Sequence, residues 1–157
     1  MGIYVDGSCV GNGKNENFGG FGVVEINEQG KVVFAYAEHC ENTTNNREEL
    51  KAILYAAKKY GTNNDFFVDT IYSDSNYCVQ TFNNWMFSWF HNNWLKSDGK
   101  PPENLDLIKE YFDYRIIKNY RLNLEKIRGH SGILGNELAD KLATKRITPE
   151  EVMLIYG

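Results

Sequence analysis

Apolar and polar positions change their period along this chain, and each change predicts an element. Residues 3–9 form a short β-prone run, and residues 19–26 (GGFGVVEI) and 31–39 (KVVFAYAEH) form two more, joined by the turn-like tetrad Asn27-Glu28-Gln29-Gly30. Three antiparallel strands are expected. The period then becomes helical: Thr43-Thr44-Asn45-Asn46 offers capping side chains, and Leu50, Ile53, Leu54 and Ala57 recur on one face until Gly61, which is placed to stop a helix. Residues 66–72 predict a buried strand, and Ser73-Asp74-Ser75-Asn76 predicts that strand's end running into a helix N-terminus. The segment carrying Trp85, Trp89 and Trp94 predicts two helices around a polar turn at 97–102. Residues 120–127 alternate like a strand, 129–135 form a glycine-rich loop, and 136–145 have helical spacing. Thr148-Pro149-Glu150-Glu151 then supplies the cap, N1 proline and N3 glutamate of a short last helix. Three strands, helix, strand, helices, strand, helix is an α/β order: a mixed sheet covered by helices, because a parallel strand must return through a crossover.

At 157 residues, with 42% hydrophobic and 14% aromatic content, residues 1–157 fit one compact domain able to bury a core. No apolar run approaches the ~20 residues that cross a bilayer, and the N-terminus has neither a basic n-region nor an apolar h-region. Secretion and membrane spanning are disfavoured. Cys9, Cys40 and Cys78 are odd in number and lack CxxC spacing, which fits free thiols in the cytoplasm better than a disulfide frame or a zinc site. The formal charge of −4 argues against a nonspecific nucleic-acid coat and leaves an enzyme open. That charge is uneven. Residues 115–146 hold eight Lys and Arg against three acids, a net +5, so the rest of the chain is net −9.

Four acids lie where predicted elements begin or end: Asp6, Glu49, Asp74 and Asp140. Singly, each is an ordinary solvating charge. Together they suggest a site, because Asp6 interrupts an apolar strand and Asp74 ends one, so neighbouring strands would bring both to one sheet edge. Converging carboxylates repel unless a cation joins them, and hard oxygen ligands suit Mg²⁺ or Mn²⁺. A two-metal site for phosphoryl transfer is the chemistry such a set performs.

Asp6-Gly7-Ser8-Cys9, Thr43-Thr44-Asn45-Asn46-Arg47-Glu48-Glu49-Leu50, Asp74-Ser75-Asn76-Tyr77 and Gly129-His130-Ser131-Gly132 followed by Asn136-Glu137-Leu138-Ala139-Asp140 resemble, in order and spacing, the motif set of type 1 ribonuclease H. The resemblance implies a five-stranded mixed sheet of order 3-2-1-4-5 flanked by helices. It implies an endoribonuclease that cuts the RNA strand of RNA–DNA hybrids by two-metal hydrolysis, leaving 5′-phosphate and 3′-hydroxyl ends. It carries the metal-ligating acids onto Asp6, Glu49, Asp74 and Asp140, with two Mg²⁺ expected and Mn²⁺ as a substitute, and the mobile histidine onto His130, whose ordinary pKa suits proton exchange near neutrality.

Adjacent helix residues point about 100° apart, so only one of Glu48 and Glu49 can face the other acids. The family pattern, an acid directly before Leu, selects Glu49 and leaves Glu48 as a surface charge. Asn12, Asn45 and Asn46 match positions that reach the minor groove, where amides bond 2′-hydroxyls. Thr44 and Asn104 match positions near the DNA-strand phosphates. Residues 43–46 are also natural helix caps, and one role is compatible with the other. Trp85 and Trp89, one helical turn apart, are expected to pack. Two departures stand out: Phe90-His91-Asn92-Asn93 replaces the Lys/Arg-rich handle of bacterial members, and the loop at 11–19 lacks their prolines. With no hybrid-binding segment ahead of Asp6, added affinity would come from 115–146 or a partner. A monomer without an obligate protein partner is expected. The rival readings are a catalytically silent hybrid-binding module, which retention of all four acids opposes, and a DNA-acting nuclease of the same fold, which the TTNNR and GHSG segments oppose.

Overall fold

The chain runs as a three-stranded meander followed by helical connections, in a computed structural model that describes residues 2–63 and 67–157. Strands β1 (Gly2–Val10), β2 (Phe18–Ile26) and β3 (Val32–Glu41) pair antiparallel. Helix α1 (Asn45–Tyr60) crosses the sheet and delivers β4 (Thr70–Ser73) parallel to β1. Helix α2 (Asn76–Gln80), a π-helical turn at Thr81–Trp85 and α3 (Met86–His91) follow without a break; α4 (Leu105–Phe112) and a second π turn at Asp113–Ile117 lead to β5 (Asn123–Lys126), parallel to β4. Helices α5 (Leu134–Ala143) and α6 (Pro149–Tyr156) close the chain. The sheet order is β3-β2-β1-β4-β5, the order that the resemblance implies.

Alternation along the strands builds two cores. Ile3, Val5, Phe21 and Val23 pack with Leu50, Ile53 and Ala57 of α1 on one face, while Val24 and Val32 pack with Leu138, Leu142 and Val152 of α5 and α6 on the other. Helix α1 can press this closely because residue 7 has no side chain: a Cβ on Gly7 would lie 2.2 Å from the backbone nitrogen of Glu49. Thr44 caps α1 by accepting from the Arg47 N–H at 3.0 Å, and Thr148 and Glu151 complete a reciprocal capping box on α6.

Some expectations shift. The strand expected at 66–72 covers Thr70–Ser73; Phe66 lies outside the described residues, and Phe67 is 59% exposed rather than buried. Gly61 ends α1 as expected, in an extended conformation with φ −61°. Gly135 belongs to the first turn of α5, not to a loop: it packs against the Tyr4 ring, where a Cβ would lie 2.2 Å from Cδ2. Trp89 and Trp94 pack against the core as expected, whereas Trp85 is 40% exposed. Among the described residues no helix is long and apolar enough to cross a membrane.

Candidate active site

Asp6 lies on the central strand, and the parallel register decides its neighbour. Ile3 pairs with Ile71 and Tyr4 with Tyr72, so the same offset two residues on sets Asp6 alongside Asp74, just beyond β4. Asp74 thus follows the carboxyl end of β4 and Asp6 stands midway along β1, beside the point where their parallel pairing stops, and open α/β sheets place their ligands at such strand ends. Glu49 arrives from α1 on one face of the sheet and Asp140 from α5 on the other.

Oxygen atoms of Asp6, Glu49 and Asp74 lie within 4.8 Å of one another. Glu49 is fixed at both oxygens: Oε2 accepts from the Gly7 N–H and Oε1 from the Ser73 hydroxyl, each at 2.6 Å. The Gly7 N–H is shared with Asp6 Oδ1 at 3.0 Å. Asp140 is ion-paired through Oδ2 with Arg146, and its presence adds to the upward push on the Asp6 carboxyl. His130 is exposed on the loop before α5, with φ 53°, and its charge reaches Asp74. The loop passes that close because Gly129 stands there; a Cβ would lie 2.8 Å from Asp74 Oδ2.

Crowding like charges at the edge of a core perturbs their titration. Burial first, then the charges of Glu49 and Asp74, hold the Asp6 carboxyl far above the ordinary carboxylate range. Burial also raises Glu49, partly countered by the bonds from Ser73 and Asp6. Asp74 is raised by burial, with His130 and Lys126 pulling the other way. A set of buried oxygen donors that resists carrying its own charge is suited to a divalent cation, which would neutralise the repulsion. The arrangement fits Mg²⁺ or Mn²⁺, and no histidine or thiolate joins the cluster of three to favour a softer ion.

Glu48 corrects the sequence reading. It is fully buried, not a surface charge: the Thr43 hydroxyl donates to its Oε2 at 2.6 Å and Lys51 pairs with it at 3.0 Å. It faces away from the acid cluster all the same, so the choice between the two glutamates stands on geometry. The other sequence candidates gather around the N-terminus of α1. Asn12 Oδ1 accepts from the Asn45 N–H at 3.0 Å, and Asn45 Oδ1 accepts from the Cys9 N–H at 2.6 Å, so these two asparagines brace the loop after β1 against the α1 N-terminus. Asn46 is exposed in the first turn of α1. Asn104 caps α4 from a left-handed conformation, and its Oδ1 accepts from Arg47 Nη1 at 3.2 Å. Arg47, bound bidentately to Asp106 at 3.1 and 2.8 Å, ties Thr44 to Asn104. Sequence reasoning missed Arg47, Ser73 and Arg146 as parts of this region.

A model of the RNase H family matches residues 1–148. The chain belongs to the RNase H family. It is similar to the ribonuclease H of Thermoanaerobacter sp. (strain X514), 41% identical over 146 residues that cover 92% of this chain and 88% of that protein. Ribonuclease HI of Haemophilus influenzae (strain ATCC 51907 / DSM 11121 / KW20 / Rd) is 36% identical over 143 residues, 91% of this chain and 86% of the relative. Among solved structures, LC9-RNase H1, described as a type 1 RNase H with the type 2 active-site motif, superposes with a TM-score of 0.67 at 28% identity, covering 92% of this chain and 70% of that one. The motif set, the strand order and these relatives agree on a type 1 ribonuclease H, a metal-dependent hydrolase.

Proposed function

We propose that this chain cleaves the RNA strand of RNA–DNA hybrids, with Asp6, Glu49, Asp74 and Asp140 as ligands for two divalent ions. The observation that carries the reading is the convergence of the first three acids, from the middle of β1, the end of β4 and a helix, to within 4.8 Å in an RNase H chain. Bound there, Mg²⁺ or Mn²⁺ supplies Lewis acidity and charge neutralisation at the scissile phosphate, for in-line hydrolysis leaving 5′-phosphate and 3′-hydroxyl ends.

The chain's own groups do the positioning. Glu49, held by Gly7 and Ser73, keeps one orientation and loses little freedom when it takes a ligand role. His130, exposed and beside Asp74, moves protons between solvent and the reacting oxygens or helps product leave. The oxygens of Asn12 and Asn45 are spent on backbone N–H groups, which leaves their amide N–H donors for 2′-hydroxyls and base edges, with Asn46 beside them. Thr44, Asn104 and the Arg47 between them form the natural seat for a DNA-strand phosphate. Free Cys9, Cys40 and Cys78 support action in the reducing cytoplasm, and no feature of the reading requires a second subunit.

A gel assay of labelled RNA–DNA hybrid, duplex DNA and duplex RNA, with and without Mg²⁺, tests it. Cleavage confined to the RNA strand of the hybrid and dependent on the ion is expected. Comparable cutting of duplex DNA points to the DNA-acting alternative, and binding without cutting points to a silent module; either refutes the proposal.

A further inference from the structure

The fourth acid has a resident partner. Asp140 Oδ2 is bound by Arg146 Nη2, and the way the chain brings Arg146 there is specific. At the end of α5 the Lys145 N–H bonds the Leu142 carbonyl and the Arg146 N–H bonds the Lys141 carbonyl at 2.8 Å, the paired reverse bonds of a Schellman ending. That motif needs a left-handed residue, and Lys145 adopts φ 61° where glycine is usual. The turn folds residue 146 back over the last turn of the helix. Thr144 then fixes the side chain: its hydroxyl accepts from Arg146 Nε at 2.8 Å while donating to the Asp140 carbonyl at 2.8 Å. The guanidinium is thus oriented by a backbone motif and a hydroxyl, and it meets a carboxylate that is itself only 24% exposed.

We propose that Arg146 is a positioning residue that competes with the divalent ion for Asp140 and so sets how much metal the site requires. The inference rests on reading Asp140 as a metal ligand. An ion and a guanidinium cannot both take the full charge of one carboxylate, so ligation at Asp140, even through its other oxygen, costs the ion a weakening of the bond to Arg146. The neighbouring Lys145 carries the same charge but lies over the Phe18 ring at 4.1 Å, away from the acid, which makes it the control.

Mn²⁺ titrated calorimetrically into the full chain, without nucleic acid, reads the competition directly. Arg146→Gln is expected to tighten the weaker Mn²⁺ by about threefold to fivefold, the upper range of a partly screened ion pair, while Lys145→Gln stays within about twofold of the parent. The Mg²⁺ concentration giving half-maximal cleavage should fall with Arg146→Gln by a similar factor. An unchanged Mn²⁺ affinity for Arg146→Gln overturns the inference, as does equal tightening by Lys145→Gln, which would reduce the effect to general charge. If the parent takes up Mn²⁺ and cuts hybrid yet Arg146→Gln binds no tighter, only this inference falls. If the parent neither binds Mn²⁺ nor cuts hybrid, the reading of the acids falls with it.

Discussion

Asp6→Asn should stabilise the fold in the presence of a chelator, and the gain should grow with pH. Asp6 is 7% exposed, beside Glu49 and Asp74, with its carboxyl raised far above the ordinary range. In the unfolded chain it ionises near pH 3.9. Between that value and its raised folded value the native state therefore binds more protons than the unfolded state, and stability falls as pH rises. Each pH unit across this window costs about 1.4 kcal/mol, so only two units in which the folded carboxyl stays protonated amount to about 3 kcal/mol. Asparagine keeps the shape and the acceptor for the Gly7 N–H, and it has no charge to suppress. For a chain of 157 residues that difference corresponds to a Tm gain of roughly 6–12 °C near pH 8, shrinking towards zero near pH 4.5. Some slope should survive in the variant because Glu49 and Asp74 are also raised. Thermal unfolding of both proteins in EDTA from pH 4.5 to 8.5 measures it. A gap that is the same at both ends of the range, or that widens towards acid, would refute the account of the site as a cluster of suppressed charges.

Two further outcomes follow from the same geometry. Asp74→Asn should abolish hybrid cleavage while hybrid affinity persists or increases, because a charged ligand is lost and phosphate repulsion is reduced; turnover near that of the parent in Mg²⁺ would remove Asp74 from the site. Glu48→Ala should cost roughly 2–4 kcal/mol in chemical denaturation by leaving Lys51 and the Thr43 hydroxyl without their partner, yet leave Mn²⁺ affinity unchanged; a loss of Mn²⁺ binding by the folded variant would reverse the assignment of the two glutamates.

What could be seen in the sequence divides along local and distant contacts. The caps at Thr44, Ser75 and Thr148 act within three residues, and all three were legible as side chains placed before a periodic run. The meeting of Asp6 and Asp74 was legible because Asp6 interrupts an apolar strand and Asp74 ends one. Glu48 was misjudged because the angle between neighbouring helix residues says which of them can face the acids, not whether the other faces solvent; the Lys51 one turn on and the Thr43 just ahead of α1 were the available signals of a buried pair. Gly135 looked like loop because glycine is rare inside helices, and only the Tyr4 ring lying against it explains its place. The bond from Arg47 to Asp106 joins residues 59 apart and leaves no trace in any periodic pattern.

The uneven charge of the chain has a structural destination. Four acids at one sheet edge repel the phosphates that the proposed reaction must bring to them, and the handle offers Phe90, His91 and Asn92 where cations would otherwise offset this. Phe90 is 43% exposed and stacks on Phe112 at 4.6 Å, so the residue is committed to covering apolar surface and cannot be exchanged for lysine without uncovering it. The net +5 segment at 115–146, by contrast, sends cations to the acids: Lys126 acts on Asp74 and Arg146 holds Asp140, with the loop His130 also acting on Asp74. Cations so placed do two things at once. They hold the acid cluster together in a fold that would otherwise be strained by it, and they lower the barrier to an approaching polyanion within a Debye length of the cleavage point. In this chain the cations that stand nearest the acids therefore come from the basic segment and not from the handle.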